Sequence, residues 1–329
     1  MEMKDTPYHF ALKALRKAYL KLFGTSHRGE YSYVERNPAK ASDMIYQLLI
    51  KDEPCMVARF GSNELLAVAN WWSKTYHYGD FRNYIVGNCF QWWPNEQNRL
   101  NMLNVAGFYP VTDENLERFA KMMIEDMPLV DLLGSWCVEE SWFQDKIDRA
   151  LKVNLLCLEP YWSKRPWSRV LEGKRILVVH PFAEDISSQY HICREQLFKD
   201  KLVLPEFASL RIVKAVQSNG GESNGFNDWF EALEWMKNEM DKEPYDIALI
   251  GCGAYGFPLA AHAKCTGHKA VHLGGALQLL FGIKGKRWDN IKYNSEYNYK
   301  DDLFNDYWIY PASKTKPNYS QQVEGECYW

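Results

Sequence analysis

Between residues 175 and 275 four short apolar runs, "RILVVH", "LRIVKAV", "DIALIG" and "KAVHLGG", alternate with helical patterns. The patterns are "EDISSQYHICREQLFKD", "NDWFEALEWMKNEM" and "GFPLAAHAKCTG". Strands separated by helices imply a parallel sheet, because each helix carries the chain back to the edge where the next strand starts. Right-handed crossovers then set helices on the sheet. The expected class is α/β: a Rossmann-like, mostly parallel sheet with helices on both faces.

The first half continues the alternation. "CMVARF" reads as a strand and "NELLAVANWW" as a helix; "NEQNRLNMLNVAG" and "TDENLERFAKMMIEDM" are further helices, the second opened by Thr112 with acids in its first turn. "LVDLLGSW" and "NLLCLEP" read as strands around a helical "EESWFQDKIDRAL". The Rossmann-like domain is expected over residues 41–290, with a helical arm over 1–40 and a C-terminal extension over 291–329 packing on the domain.

In the first 28 residues Lys4, Lys13, Arg16, Lys17, Lys21 and Arg28 are opposed by Glu2 and Asp5 alone. Tyr8, Leu12, Leu15, Tyr19 and Leu22 recur at helical spacing, giving a basic amphipathic helix. Two readings fit: peripheral contact of residues 8–23 with an anionic membrane surface, or a helix packed on its own domain with a solvated basic face. The chain has a net charge of −3, without the basic footprint of a nucleic-acid binder. Its eight cysteines contain no C-x-x-C pair, so neither zinc spacing nor a compact disulfide framework is indicated. With no signal-peptide core and no apolar run near about 18 residues, a cytoplasmic protein is expected, possible contact with the inner membrane face included.

Ligands of open parallel sheets bind beyond the carboxyl ends of the strands. That rule singles out "RFGSNE", "HPFAED", "GCGAYG" and "HLGGALQ". In the third, Gly251, Gly253 and Gly256, enclosing Ala254 and Tyr255, have the G-x-G-x-x-G spacing between a strand and a helix. A dinucleotide site also needs an acid roughly 20 residues beyond the first glycine. Here the next strand ends in His272 and no carboxylate follows, so a dehydrogenase is excluded. What remains is backbone that can approach an anion at a helix N-terminus, an adenosyl ligand of a methyltransferase, or simple close packing.

In the first loop Arg59 can fork onto phosphate oxygens, Gly61 permits a tight turn, Ser62 or Asn63 can cap the helix, and Glu64 can coordinate a hard cation or act as a base; an Arg59–Glu64 ion pair is the structural alternative. In the second, His180, Glu184 and Asp185 follow a strand, and either acid can serve as base or as first-turn helix charge. The fourth continues through Gly274 and Gly275 to Lys284, Lys286 and Arg287 beside Trp288, a grouping suited to a diphosphate near a ring, or a solvated basic turn.

The strand–"RFGxxE"–helix unit, paired with the late strand–glycine-turn–helix–strand unit, resembles the GT-D type of glycosyltransferase fold over about residues 40–290. A closer resemblance, to an uncharacterised group of bacterial surface-polysaccharide-cluster proteins, is carried by "AGFYP", "PWSRVLEGKRILVVHPFAEDI", "LPEFASL", "IGCGAYGFPLAAHAK", "HLGGALQLLFGIKGKRWD" and "VEGECYW". The fold-level resemblance implies transfer of a sugar from a nucleotide sugar, such as a UDP-sugar, to a glycan or lipid-linked acceptor. It also implies a D-x-E motif that binds Mn²⁺ or Mg²⁺ with the diphosphate; this falls on Ser62-Asn63-Glu64, where Glu64 matches and Ser62 replaces the first acid. One carboxylate and a hydroxyl hold a hard cation less well than two carboxylates. On this reading Arg59 and residues Gly251 to Gly256 position the diphosphate, Glu64 orients metal or ribose, Glu184 or Asp185 deprotonates the acceptor, and Trp288 stacks. A non-catalytic nucleotide-binding or scaffold protein of the same pathway is the alternative.

Overall fold

Seven parallel strands form one sheet: β1 (Cys55–Ala58), β2 (Leu132–Ser135), β3 (Leu151–Asn154), β4 (Arg175–His180), β5 (Ser209–Lys214), β6 (Ile247–Ile250) and β7 (Lys269–His272), in the order β3-β2-β1-β7-β6-β4-β5. This computed structural model describes residues 6–24, 34–221, 224–290, 294, 296–316, 320–323 and 325–329. Glu2, Lys4, Asp5 and Arg28, counted in the basic arm, lie outside the described residues.

The period of two along a strand explains why the apolar runs are continuous. Met56 and Ala58 of β1, Leu177 and Val179 of β4, and Ala248 and Ile250 of β6 enter one core. Their neighbours Cys55 and Val57, Ile176 and Val178, and Ile247 and Leu249 enter a second. Helices Ser62–Tyr76, Asp113–Asp126, Trp229–Asp241 and Gly256–Cys265 cover the first face. Helix Pro38–Leu49, the segment 167–171 and residues of the C-terminal extension cover the second. Both faces are dry, as a Rossmann-like sheet requires.

Helix starts follow the expected chemistry. Thr112 accepts a hydrogen bond from the Asn115 backbone N–H at 3.1 Å, and Asp228 accepts from Glu231 at 2.8 Å. Helix Pro38–Leu49, capped by Asn37, runs through the boundary placed at residue 40. Three expected elements differ. The strand read in "NLLCLEP" ends at Asn154, whose side chain accepts from the Leu156 N–H at 3.1 Å and turns the chain into a 3₁₀ segment, Leu155–Leu158. "EESWFQDKIDRAL" gives a 3₁₀ segment, Val138–Phe143, and one α-helical turn, Gln144–Ile147, because Glu140 bends back to accept from the N–H groups of Trp136 and Cys137. The helix expected over 184–200 is interrupted by a π-helical turn, Gln189–Cys193.

Helix Pro7–Phe23 packs beside the domain. Leu12 is buried with Tyr84, Cys89, Trp92 and Trp93. Arg16 donates to the carbonyls of Tyr84 and Cys89 at 2.6 and 2.7 Å, and His9 stacks on Trp93 with centroids 4.4 Å apart. The C-terminal extension returns to the domain through a bridge between Ile283 and Ile309. Among the described residues no helix is long and apolar enough to cross a membrane. The cysteines are free and mostly buried.

Candidate functional site

The four singled-out loops follow β1, β7, β6 and β4, which are consecutive neighbours in the sheet. Parallel strands bring their carboxyl ends to one rim, so loops from residues 59 to 275 meet around a single cavity of about 680 Å³. β7 lies between β1 and β6 although β1 is followed in sequence by β2 on its other side. Strand order of this kind opens a crevice at the rim.

Arg59 leaves the end of β1 and its guanidinium lies 5.0 Å from the centroid of the Trp136 ring. Trp136 is fixed in turn: its indole N–H donates to the Phe60 carbonyl at 2.9 Å. Among the described residues Arg59 makes no hydrogen bond or ion pair, so the anticipated Arg59–Glu64 pair does not form. Gly61 caps helix Ser62–Tyr76 without a side chain, and Ser62 and Asn63 line the cavity. Asn63 is clamped, its carbonyl accepting from Asn98 at 2.9 Å and its side chain from Asn101 at 3.1 Å. Neither Ser62 nor Asn63 caps the helix through its side chain; Glu64 stands in the first turn, its carboxyl beside its own backbone N–H. Its buried carboxyl, 9% exposed, lies over Gly61 where any Cβ would collide with it. Burial raises its pKa, and Arg59 and the N–H bond oppose that rise.

The glycines of the β6 and β7 turns permit close backbone approach. A Cβ on Gly251 would lie 2.5 Å from the Gly274 carbonyl oxygen, and Gly253, at φ +56°, packs on the Ala106 carbonyl. Gly274, at φ +61°, faces the Arg59 guanidinium, and Gly275 receives the Tyr328 ring. Gly251, Gly253, Tyr255, Gly274 and Gly275 line the cavity. Tyr255 is buried, its hydroxyl 3.1 Å from Ser218 Oγ and its ring stacked on Trp229. His180 lines the cavity too, its Nδ1 accepting from the Phe182 N–H at 3.0 Å; the ring is therefore neutral with its proton on Nε2. Burial pushes its pKa down to about 3.

Seven anticipated residues stand outside the lining. Glu184 is exposed and pairs with Lys214 at 3.0 Å. Asp185 accepts from the Ala312 N–H at 3.0 Å and anchors the C-terminal extension. Both follow from helix Ala183–Ser188 turning its acids toward β5 and the extension instead of the rim. His272 points inward, donating from Nδ1 to the Ile250 carbonyl at 3.2 Å beneath Gly256, whose missing side chain leaves room for the ring. Gly256 therefore serves packing. Ala254 is buried and donates its N–H to the Ala106 carbonyl at 3.3 Å. Lys284 sits over Phe304 and Tyr310. Trp288 is buried at 2% exposure, a core residue with no face for a base or sugar.

Sequence reading also missed walls. Trp136 stands beyond β2, and Val216, Gln217, Ser218 and Asn219 beyond β5; extending the strand-end rule to these two strands would have found them. Val105 to Gly107 together with Val323, Gly325, Cys327, Tyr328 and Trp329 complete the cavity. Glu326 accepts from Lys286 and Lys316 at 2.6 and 2.5 Å and from Ser320 at 2.9 Å, which hold its carboxyl down at about 2. Gln278 donates to the carbonyls of Lys284 at 2.7 Å and Tyr328 at 3.2 Å, tying that segment to the β7 loop. Arg287 donates to the Tyr328 hydroxyl at 3.2 Å.

The lining thus carries Arg59, Lys286 and Arg287 against one carboxylate, Glu64. Among the described residues no group of three His, Cys, Asp or Glu side chains could hold a metal ion. A divalent cation, which favours several oxygen ligands, does not fit a lone carboxylate folded onto its own helix. No protein-family model, curated protein or solved structure matches this chain.

Proposed function

We propose that the cavity binds a nucleotide sugar, a UDP-sugar in the first instance, and that the chain transfers the sugar to a hydroxyl of a glycan or lipid-linked acceptor in bacterial surface polysaccharide assembly. The observation that carries the reading is the Arg59 guanidinium, which among the described residues makes no hydrogen bond or ion pair, beside a helix Ser62–Tyr76 whose N-terminus has no side-chain cap, at the rim of a parallel sheet. Arginine and a helix N-terminus both favour phosphate oxygens. The resemblance of the β1 and β6–β7 units to the GT-D fold agrees with it.

In transfer, the bond from sugar C1 to the diphosphate oxygen breaks, a bond from C1 to the acceptor oxygen forms, and the acceptor proton leaves. Arg59 takes up the charge developing on the departing diphosphate. Glu64 receives the proton, since Glu184 and Asp185 face away and burial has made its carboxyl more basic. The residues present do not suit a divalent ion, and no step is assigned to one. The second reading, a nucleotide-binding protein without turnover, draws on Ser62 at the acid position and on the inward fold of Glu64.

A thermal-shift panel of UDP, UDP-sugars and S-adenosylmethionine, each with Mg²⁺, Mn²⁺ or EDTA, tests binding, because a ligand of the native state raises the Tm. Expected is stabilisation by UDP that survives EDTA and is lost in Arg59→Ala. Stabilisation by S-adenosylmethionine alone points to a methyltransferase. Donor turnover abolished in Glu64→Gln and kept in Glu184→Gln supports catalysis; UDP binding with no turnover supports the second reading.

A further inference from the structure

The face of helix Pro7–Phe23 turned away from the domain carries an apolar stripe. Tyr8, Leu15 and Leu22 recur every seventh residue and are 56%, 54% and 75% exposed. Residues seven apart lie nearly in line, two turns from one another. Ala11 and Ala18 are exposed between them, and Phe23 at the helix end is 73% exposed. Phe10, Lys17 and Lys21 occupy the other flank, all exposed. The inward face is already committed, through buried Leu12 and the two hydrogen bonds of Arg16. The stripe therefore has no place in the domain's own core.

The helix contains Lys13, Arg16, Lys17 and Lys21 and not one acidic residue, in a chain whose net charge is −3. Helix Phe81–Val86, which it packs against, is approached by a segment with Tyr76, Tyr78 and Phe81 exposed at 65%, 78% and 47%. Large apolar side chains flanked by lysines match a surface that is oily within and anionic at its edge. A second copy offering the same helix would set like charges against each other, which favours lipid as the occupant.

We propose that this face lies on an anionic lipid surface, with Tyr8, Leu15, Leu22 and Phe23 at the headgroup boundary and Lys17 and Lys21 against lipid phosphates. The proposal is independent of the cavity's ligand. The test is sedimentation of the full chain with vesicles of phosphatidylcholine alone or enriched in phosphatidylglycerol, at low and raised salt. Expected is binding to the anionic vesicles only, weakened by salt and lost in the double variant Leu15→Glu/Leu22→Glu. Lys17→Gln and Lys21→Gln each weaken it about fivefold, the worth of one cation near such a surface. Because these positions are exposed, circular dichroism and the Tm stay unchanged, separating lost binding from lost folding. Absence of binding, binding undiminished in the double glutamate variant, or a concentration-dependent dimer that this variant dissolves without vesicle binding overturns the proposal.

Discussion

The guanidinium of Arg59 and the indole of Trp136 form a cation–π pair 5.0 Å apart at the cavity mouth. Trp136 is 45% exposed and so holds the arginine without burying it. On the proposed nucleotide-sugar reading, the pair predicts two separable effects on UDP binding by calorimetry. Arg59→Ala removes charge-assisted hydrogen bonds to phosphate, about 1.5–3 kcal/mol, or roughly tenfold or more in Kd. Trp136→Ala leaves the charge and removes its platform, about 0.5–1 kcal/mol, a loss of roughly two- to fivefold.

Gly256 and His272 make a stability prediction. Alanine at 256 would strike the buried imidazole, so Gly256→Ala lowers unfolding free energy by about 1–3 kcal/mol in urea titrations. Gly256→Ala combined with His272→Ala recovers part of that loss, because the second change removes the obstacle. A double-mutant cycle measures the coupling. Additive losses would place the role of Gly256 elsewhere.

Two buried histidines contribute a loss of stability in acid well above the pH at which ordinary carboxylates protonate, while Asp126 and Glu159, which burial raises to about 7, contribute the opposite slope. Burial holds His180 and His272 neutral, each near about 3, whereas unfolded histidines titrate near about 6.5. Between these values the unfolded chain binds protons that the folded chain refuses, so stability present above pH 6.5 is lost as the pH falls. By pH 5 the loss is on the order of 1–2 kcal/mol per histidine. Glu326, held down to about 2, adds a loss of the same sign at still lower pH. Urea midpoints measured from pH 7.5 to about 4.5 in the wild type and in His272→Gln isolate the histidine's share: the variant loses less stability than the wild type as the pH falls.

Glu326 governs one wall of the cavity. Its carboxyl joins Lys286, Lys316 and Ser320, and its backbone is held at φ +66°, outside the usual range for a side-chain-bearing residue. Glu326→Ala removes all three attachments at once. The expected outcome is faster amide exchange and proteolysis of the described segments from 320 to 329, with β4 and β6 as protected as before. Equal protection in the variant would show that Gln278 and Arg287 suffice to hold this wall.

The sheet and its rim were legible in the sequence because they depend on pattern. Alternating apolar runs and helices fix a parallel sheet, and a parallel sheet fixes which loops share an end. Arg59, Gly251 and Gly274 could therefore be grouped although they lie far apart in the chain. Side-chain direction was not legible. Glu184, Asp185 and His272 each follow or end a central strand, yet rotation of a short helix or of one strand residue turns them away from the cavity. Trp288 and Lys284 were misplaced for a related reason: the extension that covers them, through Tyr299, Phe304 and Tyr310, has no periodicity from which its path can be read. The same irregularity hid the wall formed by Val323, Gly325 and Cys327 to Trp329.

The position of β7 has a consequence for biosynthesis. A chain leaving the ribosome presents β1 to β3 and then β4 to β6 before residue 269 exists, and the strand that joins these groups is translated last. Until it inserts, β1 and β6 each expose an unpaired edge, the kind of surface through which nascent chains stick to one another. Premature termination before this point should therefore yield aggregates rather than a weakened protein.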